Sequence, residues 1–252
     1  VGGSIHNGAS RAMMMHGGDE TTLTSAENII DGTHIYEIGW DLNAEISTAI
    51  TTSRSYGANP SQGEGCGLTI RNVHMHDIRD GLIGAATAGL AVEDSVFERF
   101  LTVVGDAGGI SGAFRFTLPT SAIRRCVFRN SPRLSLHNQA FGATVAIYLD
   151  MLWGWTIEDN EFSGLDQAIY VGGKHHTIRR NVFSNCSSGH WNAAIVVLPR
   201  QGHVSPTSVP RLSIEEDLAA ATLTQPPWSD RFPTVIGYRP GGARHSIMGF
   251  HE

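Results

Sequence analysis

The sequence has few cysteines, few charged residues and no long apolar run. Its three cysteines, spread over 252 residues, are too few and too widely spaced for a disulfide scaffold or a metal site, so we expect small buried apolar side chains. No apolar run approaches the roughly 20 residues that cross a bilayer, so we expect no membrane partner. The 18 lysines and arginines form no basic stripe, and the net charge of -6 argues against nucleic acid as a partner.

A six-residue phrase recurs along the chain: an aliphatic residue, two mostly polar residues, two variable residues and a large apolar residue. The six copies occupy residues 30–35, 70–75, 92–97, 123–128, 157–162 and 178–183. A turn and a second apolar segment follow each copy, and β-branched and aromatic residues are frequent in both. The repeat therefore predicts an all-β solenoid of parallel strands, with irregular insertions in its turns.

The repeat ends near Pro199. We therefore predict one domain of parallel coils over residues 1–199 and an irregular C-terminal segment over residues 200–252. This segment is rich in proline and includes one predicted short helix at 214–221. Because Trp228, Phe232 and Tyr238 favour packing, we expect the segment to lie along the solenoid or to cap its end, where exposed strand edges need cover.

The fourth residue of the phrase is asparagine in the last two copies, Asn160 and Asn181. Equivalent residues of stacked coils lie roughly 4.8 Å apart, so these side chains could form an inward ladder of hydrogen bonds. Alternatively, each asparagine could simply occupy a left-handed turn conformation, which asparagine tolerates well. The sequence leaves both interpretations open.

Five short stretches share motifs with a known group of proteins. They are His16-Gly17-Gly18-Asp19 with Thr22-Leu23, Gly105-Asp106-Ala107-Gly108-Gly109-Ile110, Ala146-Ile147-Tyr148-Leu149-Asp150, Ile169-Tyr170-Val171-Gly172-Gly173-Lys174 and Pro227-Trp228-Ser229-Asp230-Arg231-Phe232-Pro233. These motifs resemble right-handed parallel β-helix proteins that act on carbohydrates, most closely glycoside hydrolases with fucosidase-like and xylanase-like members. The resemblance implies a right-handed β-helix and a polysaccharide or oligosaccharide substrate. Such a substrate implies a secreted or cell-envelope protein, although no export signal follows Val1.

Glycosidic cleavage generally needs two carboxylates, and the resemblance points to Asp106 and Asp150 as the catalytic pair. Strand alternation predicts that Asp150 faces solvent, because Ile147 and Leu149 would face the core. In straight strands, however, the two aspartates would be more than roughly 20 Å apart. Only a fold-back at Ala107-Gly108-Gly109 would bring them within the roughly 5 to 9.5 Å that hydrolysis requires.

Two departures from related proteins keep other functions open. The coil after Asp150 carries glycines where a related β-helix glycosidase family has a glutamate, and Met151 stands where a second acid is common. A non-catalytic carbohydrate-binding or adhesive β-helix would need no second acid. A polysaccharide lyase would favour a basic groove, and the acidic balance of this chain argues mildly against it.

Several polar and aromatic residues are predicted to line a sugar-binding surface near Asp150. They are Tyr148, Trp153, Trp155, Tyr170, His16, Arg115 and Lys174. Aromatic rings suit sugar stacking, and His16 would lie on the Asp150 row about 19 Å away, four coils distant. That distance suits a distal sugar subsite.

The histidines do not form a recognisable metal motif. His74 and His76 lie two apart on one predicted strand without a clear third ligand, and the adjacent His175 and His176 would point apart. We therefore predict no metal and no cofactor, and a structural calcium ion is not indicated.

Overall fold

The structure, a computed structural model, describes residues 2–20, 22–40, 48–52, 65–85, 87–101, 108–113, 120–131, 144–186, 193–198, 225–226 and 228–231. Within these residues the chain forms 20 β-strands and one four-residue helix, α1 (Trp228–Arg231). The predicted all-β class is confirmed. The predicted helix at 214–221 and the boundary near Pro199 lie outside the described residues, and no described helix is long and apolar enough to span a membrane.

The strands form three sheets, and every pairing between them is parallel. Sheet 1 contains β1 (Gly3–Gly8), β4 (Thr33–Ile38), β7 (His74–Ile78), β10 (Val96–Phe100), β13 (Val127–Ser131), β16 (Glu161–Leu165) and β19 (Val182–Ser184). Sheet 2 contains β2 (Met13–Met14), β5 (Thr48–Thr51), β8 (Gly81–Gly84), β11 (Gly108–Ala113), β14 (Val145–Trp153), β17 (Gln167–Lys174) and β20 (Ile195–Leu198). Sheet 3 contains β3 (Asn28–Asp31), β6 (Leu68–Arg71), β9 (Ala91–Glu93), β12 (Ala122–Arg124), β15 (Thr156–Glu158) and β18 (Thr177–Arg179).

From β3 onward, the chain visits sheets 3, 1 and 2 in turn. Each strand therefore pairs with the strand three places later, as β4 does with β7. We call each such set of three strands a coil. This topology is compatible with a parallel β-helix or solenoid, in which stacked coils bury a continuous core.

The core lies between the three sheets and is built from stacks of equivalent residues. The sixth residue of the phrase forms one stack, in which the rings of Phe97, Phe128, Phe162 and Phe183 lie face to face. Successive ring centroids are 4.9, 5.1 and 5.2 Å apart. Because the repeat places a large apolar residue at the same point of each coil, it directly specifies this stack.

The third residue of the phrase makes the turn from sheet 3 to sheet 1. It has a positive φ, between 51° and 65°, in every copy: Gly32, Asn72, Asp94, Arg125, Asp159 and Arg180. Glycine, asparagine and aspartate tolerate this left-handed conformation well, whereas arginine adopts it less readily. The recurring phrase therefore encodes a strand, a left-handed turn and a second strand.

The fourth residue of the phrase points inward, and its asparagines form the predicted ladder. Asn160 accepts a hydrogen bond from the backbone amide of Cys126 at 2.9 Å and donates to the Ile123 carbonyl at 3.0 Å. Asn181 accepts hydrogen bonds from Asn160 and donates to the Ile157 carbonyl at 2.9 Å. The alternative interpretation is wrong, because the left-handed residues are the preceding Asp159 and Arg180.

Charges at the left-handed turn alternate in sign from coil to coil. The series along the stack is Asp31, then Arg71, then Glu93 and Asp94, then Arg124 and Arg125, then Glu158 and Asp159, then Arg179 and Arg180. Arg125 Nε lies 2.7 Å from Asp94 Oδ1 on one side, and Arg124 Nε lies 2.8 Å from Glu158 Oε1 on the other. Exposed ion pairs are individually weak, but this alternation favours one order of coils.

Candidate functional site

The candidate sugar-binding residues centre on β14 in sheet 2. Ile147 and Leu149 face the core and are fully buried, whereas Tyr148 packs against a small outer cluster that includes Val145 and Val196. The alternation predicted for this part of the strand is therefore present. It places Tyr148 on the outer face of sheet 2.

Two tyrosines stack on this outer face. Tyr148 lies directly beside Tyr170 in the parallel register, with ring centroids 4.6 Å apart and an interplanar angle of 17°. Tyr170 is buried, whereas Tyr148 is half-buried. Of the two rings, that of Tyr148 is thus the better placed to contact a ligand.

Asp150 is buried, with 3% of its surface exposed, whereas strand alternation predicted a solvent-facing carboxylate. A β-bulge at this point interrupts the alternation on which that prediction rested. The register passes from Leu149 beside Val171 to Leu152 beside Gly173, so β14 contains one residue more than β17 at this point. Because bulges redirect side chains, alternation does not fix their directions beyond Leu149.

The bulge also determines which residues can lie opposite it. Gly173 has a φ of +106°, and a Cβ atom there would overlap the backbone carbonyl oxygen of Leu152. A larger residue, including an acid, is therefore excluded at this position. Asp150 itself lies beside Ala113 on the preceding coil.

Trp155 does not belong to a sugar-binding surface. Its side chain is fully buried within the hydrophobic core, so the predicted role as an exposed aromatic platform is wrong. The cause is the turn at Gly154, which has a φ of +70° and ends β14 just before Trp155. The side chains of Trp153 and Lys174 lie outside the described part of the structure, although their backbones pair in β14 and β17.

Asp106 and Arg115 also lie outside the described residues, so the Asp106–Asp150 pair stays a prediction. The neighbouring backbone nevertheless constrains it. Gly108 belongs to β11 and lies beside Val145, five residues before Asp150, or about 16 Å along a strand. Because Gly108 and Gly109 are in this strand, they do not form the fold-back that the pairing would need, and Ala107 lies outside the described residues.

Two histidines flank the predicted site. His16 follows β2, whose Met13 is linked by register through β5, β8 and β11 to Ile147. This register supports the prediction that His16 lies level with Asp150 across the sheet, although β2 itself ends at Met14, two residues before His16. His176 was considered from the sequence only as a metal ligand. Its Nε2 atom lies 3.2 Å from the carbonyl oxygen of Gly172, and burial lowers the pKa of the ring.

A second group of polar residues lies on the outer face of sheet 1. Ring nitrogens of His34, His74 and His76 all lie within 4.8 Å of one another. The sequence analysis found no third ligand for His74 and His76, because His34 lies 40 residues earlier and only the pairing of β4 with β7 brings it alongside. This group is the candidate metal-binding cluster among the described residues.

No protein-family model matches the chain, and no significant match was found among curated proteins or solved structures. The resemblance to β-helix glycoside hydrolases therefore stays a prediction that rests on its motifs.

Proposed function

We propose that this chain is a right-handed parallel β-helix that hydrolyses a polysaccharide or oligosaccharide outside the cytoplasm or in the cell envelope. Right-handed crossovers predominate overwhelmingly among parallel strand connections, which supports the handedness. The active centre would lie at the bulge of β14. Asp150 would be one catalytic carboxylate, and Asp106 is the candidate for the other.

The observation that carries this proposal is the buried carboxylate of Asp150, which follows Tyr148 by two residues on β14. The ring of Tyr148 stacks on that of Tyr170 from β17. An aromatic face beside a carboxylate matches the needs of a sugar site, because the ring packs on the pyranose while the acid reaches the glycosidic oxygen. Removal of the carboxylate from bulk water strengthens its electrostatic interactions with a bound substrate.

The test is a screen of polysaccharides and aryl glycosides with three proteins: the wild type, Asp150→Asn and Asp166→Asn. Asp166 is a matched control, because it is also a buried aspartate of the same coil region and accepts a hydrogen bond from the Thr144 amide at 3.1 Å. We expect Asp150→Asn to lower kcat by roughly 100-fold or more, and Asp166→Asn to retain activity. Hydrolysis that survives Asp150→Asn would remove Asp150 from the mechanism.

A second candidate function is carbohydrate binding without cleavage. It is favoured by the neighbouring coils, in which Ala113 lies beside Asp150 and β17 carries Gly172 and Gly173 opposite the bulge, so that none of these positions supplies a carboxylate. In this case the screen would detect no hydrolysis by any of the three proteins. Affinity electrophoresis in polysaccharide gels would instead show retardation that Tyr148→Ala weakens.

A further inference from the structure

The outer face of sheet 1 carries an unusual concentration of imidazole rings. In the parallel register His34 lies beside His74, and Tyr36 lies between His6 and His76. Their neighbours Ile35 and Met75 are fully buried, so alternation directs the histidines outward. Three histidines from two adjacent coils are thereby gathered at one point of the surface.

The ring nitrogens of these three histidines converge. His34 Nε2 lies 2.8 Å from His76 Nε2, and the His34 and His74 rings are stacked with centroids 5.1 Å apart. One nitrogen from each ring falls within 4.8 Å of the other two. Tetrahedral coordination at about 2.0 to 2.1 Å places ligand nitrogens about 3.3 Å apart, so metal binding would draw nitrogens that are now up to 4.8 Å apart closer together, by about 1.5 Å at most.

Carboxylates contact the ring nitrogens of His76 and His74. His76 Nδ1 lies 2.6 Å from Asp77 Oδ2, and His74 Nε2 lies 3.0 Å from Glu98 Oε1. Because a carboxylate only accepts, a proton on Nδ1 of His76 would satisfy Asp77 and leave the lone pair of Nε2 for a metal, while Arg99 Nη2 lies 3.2 Å from the same Nδ1. Metal-binding histidines commonly donate their second N–H to a carboxylate, which fixes the tautomer and the ring orientation.

Each carboxylate beside the cluster is in turn held by an arginine, which fixes its position and balances its charge. Asp77 is held by Arg99 through hydrogen bonds of 2.7 and 2.9 Å, and Glu98 by Arg129 at 3.0 Å. The side chain of His74 is 42% exposed, which leaves the cluster accessible from solution.

We propose that His34, His74 and His76 form a binding site for a divalent transition-metal ion of the zinc class, with its fourth coordination position open to water or another ligand. Three imidazole nitrogens suit zinc, cobalt, nickel and copper, whereas calcium and magnesium prefer oxygen ligands. When both Nε2 atoms bind the metal, the proton that lies between them in the metal-free cluster is displaced, and it moves to Nδ1 of His34 or to solvent. The site lies on sheet 1, apart from Asp150 on sheet 2, and is independent of the proposed hydrolase.

The test uses the full chain, freed of any histidine tag and of bound metal, and titrates it with Co²⁺ and Zn²⁺ without substrate. We expect one equivalent of Co²⁺ to give the visible absorption of tetrahedral cobalt, and Zn²⁺ to displace it. His34→Ala and His76→Ala should each weaken binding by at least about 100-fold, and Asp77→Asn by about 10- to 100-fold.

The matched control is His6→Ala. His6 stacks on Tyr36 on the same face, with centroids 4.7 Å apart, but is not one of the three proposed ligands. We expect its affinity for Co²⁺ to stay within about threefold of wild type, with all variants retaining the far-ultraviolet circular dichroism of the parent. Absence of a tetrahedral cobalt spectrum in the wild type, or equal affinities in His34→Ala and His6→Ala, would overturn the proposal.

Discussion

The side-chain oxygen of Asn181 accepts two hydrogen bonds from Asn160, one from its backbone amide and one from its side-chain amide, each 3.0 Å long. This contact joins two coils inside the solenoid, and Asn160 is 2% exposed. Asn160→Ala would remove the partners of the Cys126 amide and the Ile123 carbonyl. Because each buried polar group left without a partner costs about 1 to 3 kcal/mol, we expect Asn160→Ala to reduce the free energy of unfolding by about 2 to 4 kcal/mol.

Urea unfolding measures this loss. The control is Glu161→Ala, at the exposed first residue of β16 and next to Asn160 in the chain, which we expect to change the free energy of unfolding by less than about 0.5 kcal/mol. Equal effects of the two substitutions would show that the ladder does not contribute to stability.

The phenylalanine stack should be most sensitive at its centre. Phe128 is fully buried and its ring lies between those of Phe97 and Phe162. We expect Phe128→Ala to reduce the free energy of unfolding by roughly 3 to 5 kcal/mol, through lost burial and a cavity. The end member Phe183 is only partly buried, so Phe183→Ala should cost less in the same unfolding assay. A larger loss at Phe183 would contradict this order.

The alternating turn charges predict a pH dependence of stability. Hydrogen bonds from Arg125 lower the pKa of Asp94 below its usual value of 3.8. A carboxyl group whose pKa is depressed by folding stabilises the protein above its unfolded pKa, and this contribution is lost as the pH falls through the folded pKa. We therefore expect Tm to fall more steeply below about pH 4 in the wild type than in Asp94→Asn.

Calorimetry at pH 5, 4 and 3 would measure this difference, with the exposed Glu161→Gln as a control that keeps the wild-type slope. Raising the salt concentration should narrow the gap between wild type and Asp94→Asn at pH 5, because salt screens exposed pairs. Identical slopes for wild type and Asp94→Asn would contradict the inference.

The three cysteines should be unreactive in the native protein. All are free and buried, as predicted, and burial raises the pKa of the Cys126 thiol to about 12. Burial also raises the pKa values of Cys66 and Cys186, and the thiolate is the reactive species. We expect no fast reaction with a disulfide reagent at pH 8 and the release of three equivalents in urea. Rapid reaction of any thiol before unfolding would refute this prediction.

The sequence predicted those features that depend on one residue recurring at one point of each coil. The asparagine ladder is of this kind, because a repeated phrase places equivalent side chains next to one another. The phenylalanine stack follows from the same recurrence, although only a large apolar residue was predicted at that position. The left-handed turn was not assigned, since the third position holds both favourable residues such as Asp94 and unfavourable ones such as Arg125.

Features that depend on local exceptions or on pairing between distant segments could not be predicted. The bulge after Leu149 interrupts the alternation, Asp150 is buried, and nothing in the residue spacing of β14 indicates the extra residue. The contact of His34 with His76 depends on an insertion of irregular length between two coils. Such insertions hide the register until the strands are aligned.

Because the turn charges alternate in sign from coil to coil, they limit how many coils can be added to or removed from the solenoid. Removal of the single coil that carries Glu93 and Asp94 would bring Arg71 against Arg124 and Arg125, whereas removal of two successive coils would restore opposite neighbours. The same holds for insertions. Coils of this chain can therefore be duplicated, deleted or exchanged in even numbers without opposing like charges, which makes the pair of coils, rather than the single coil, the natural unit for engineering its length.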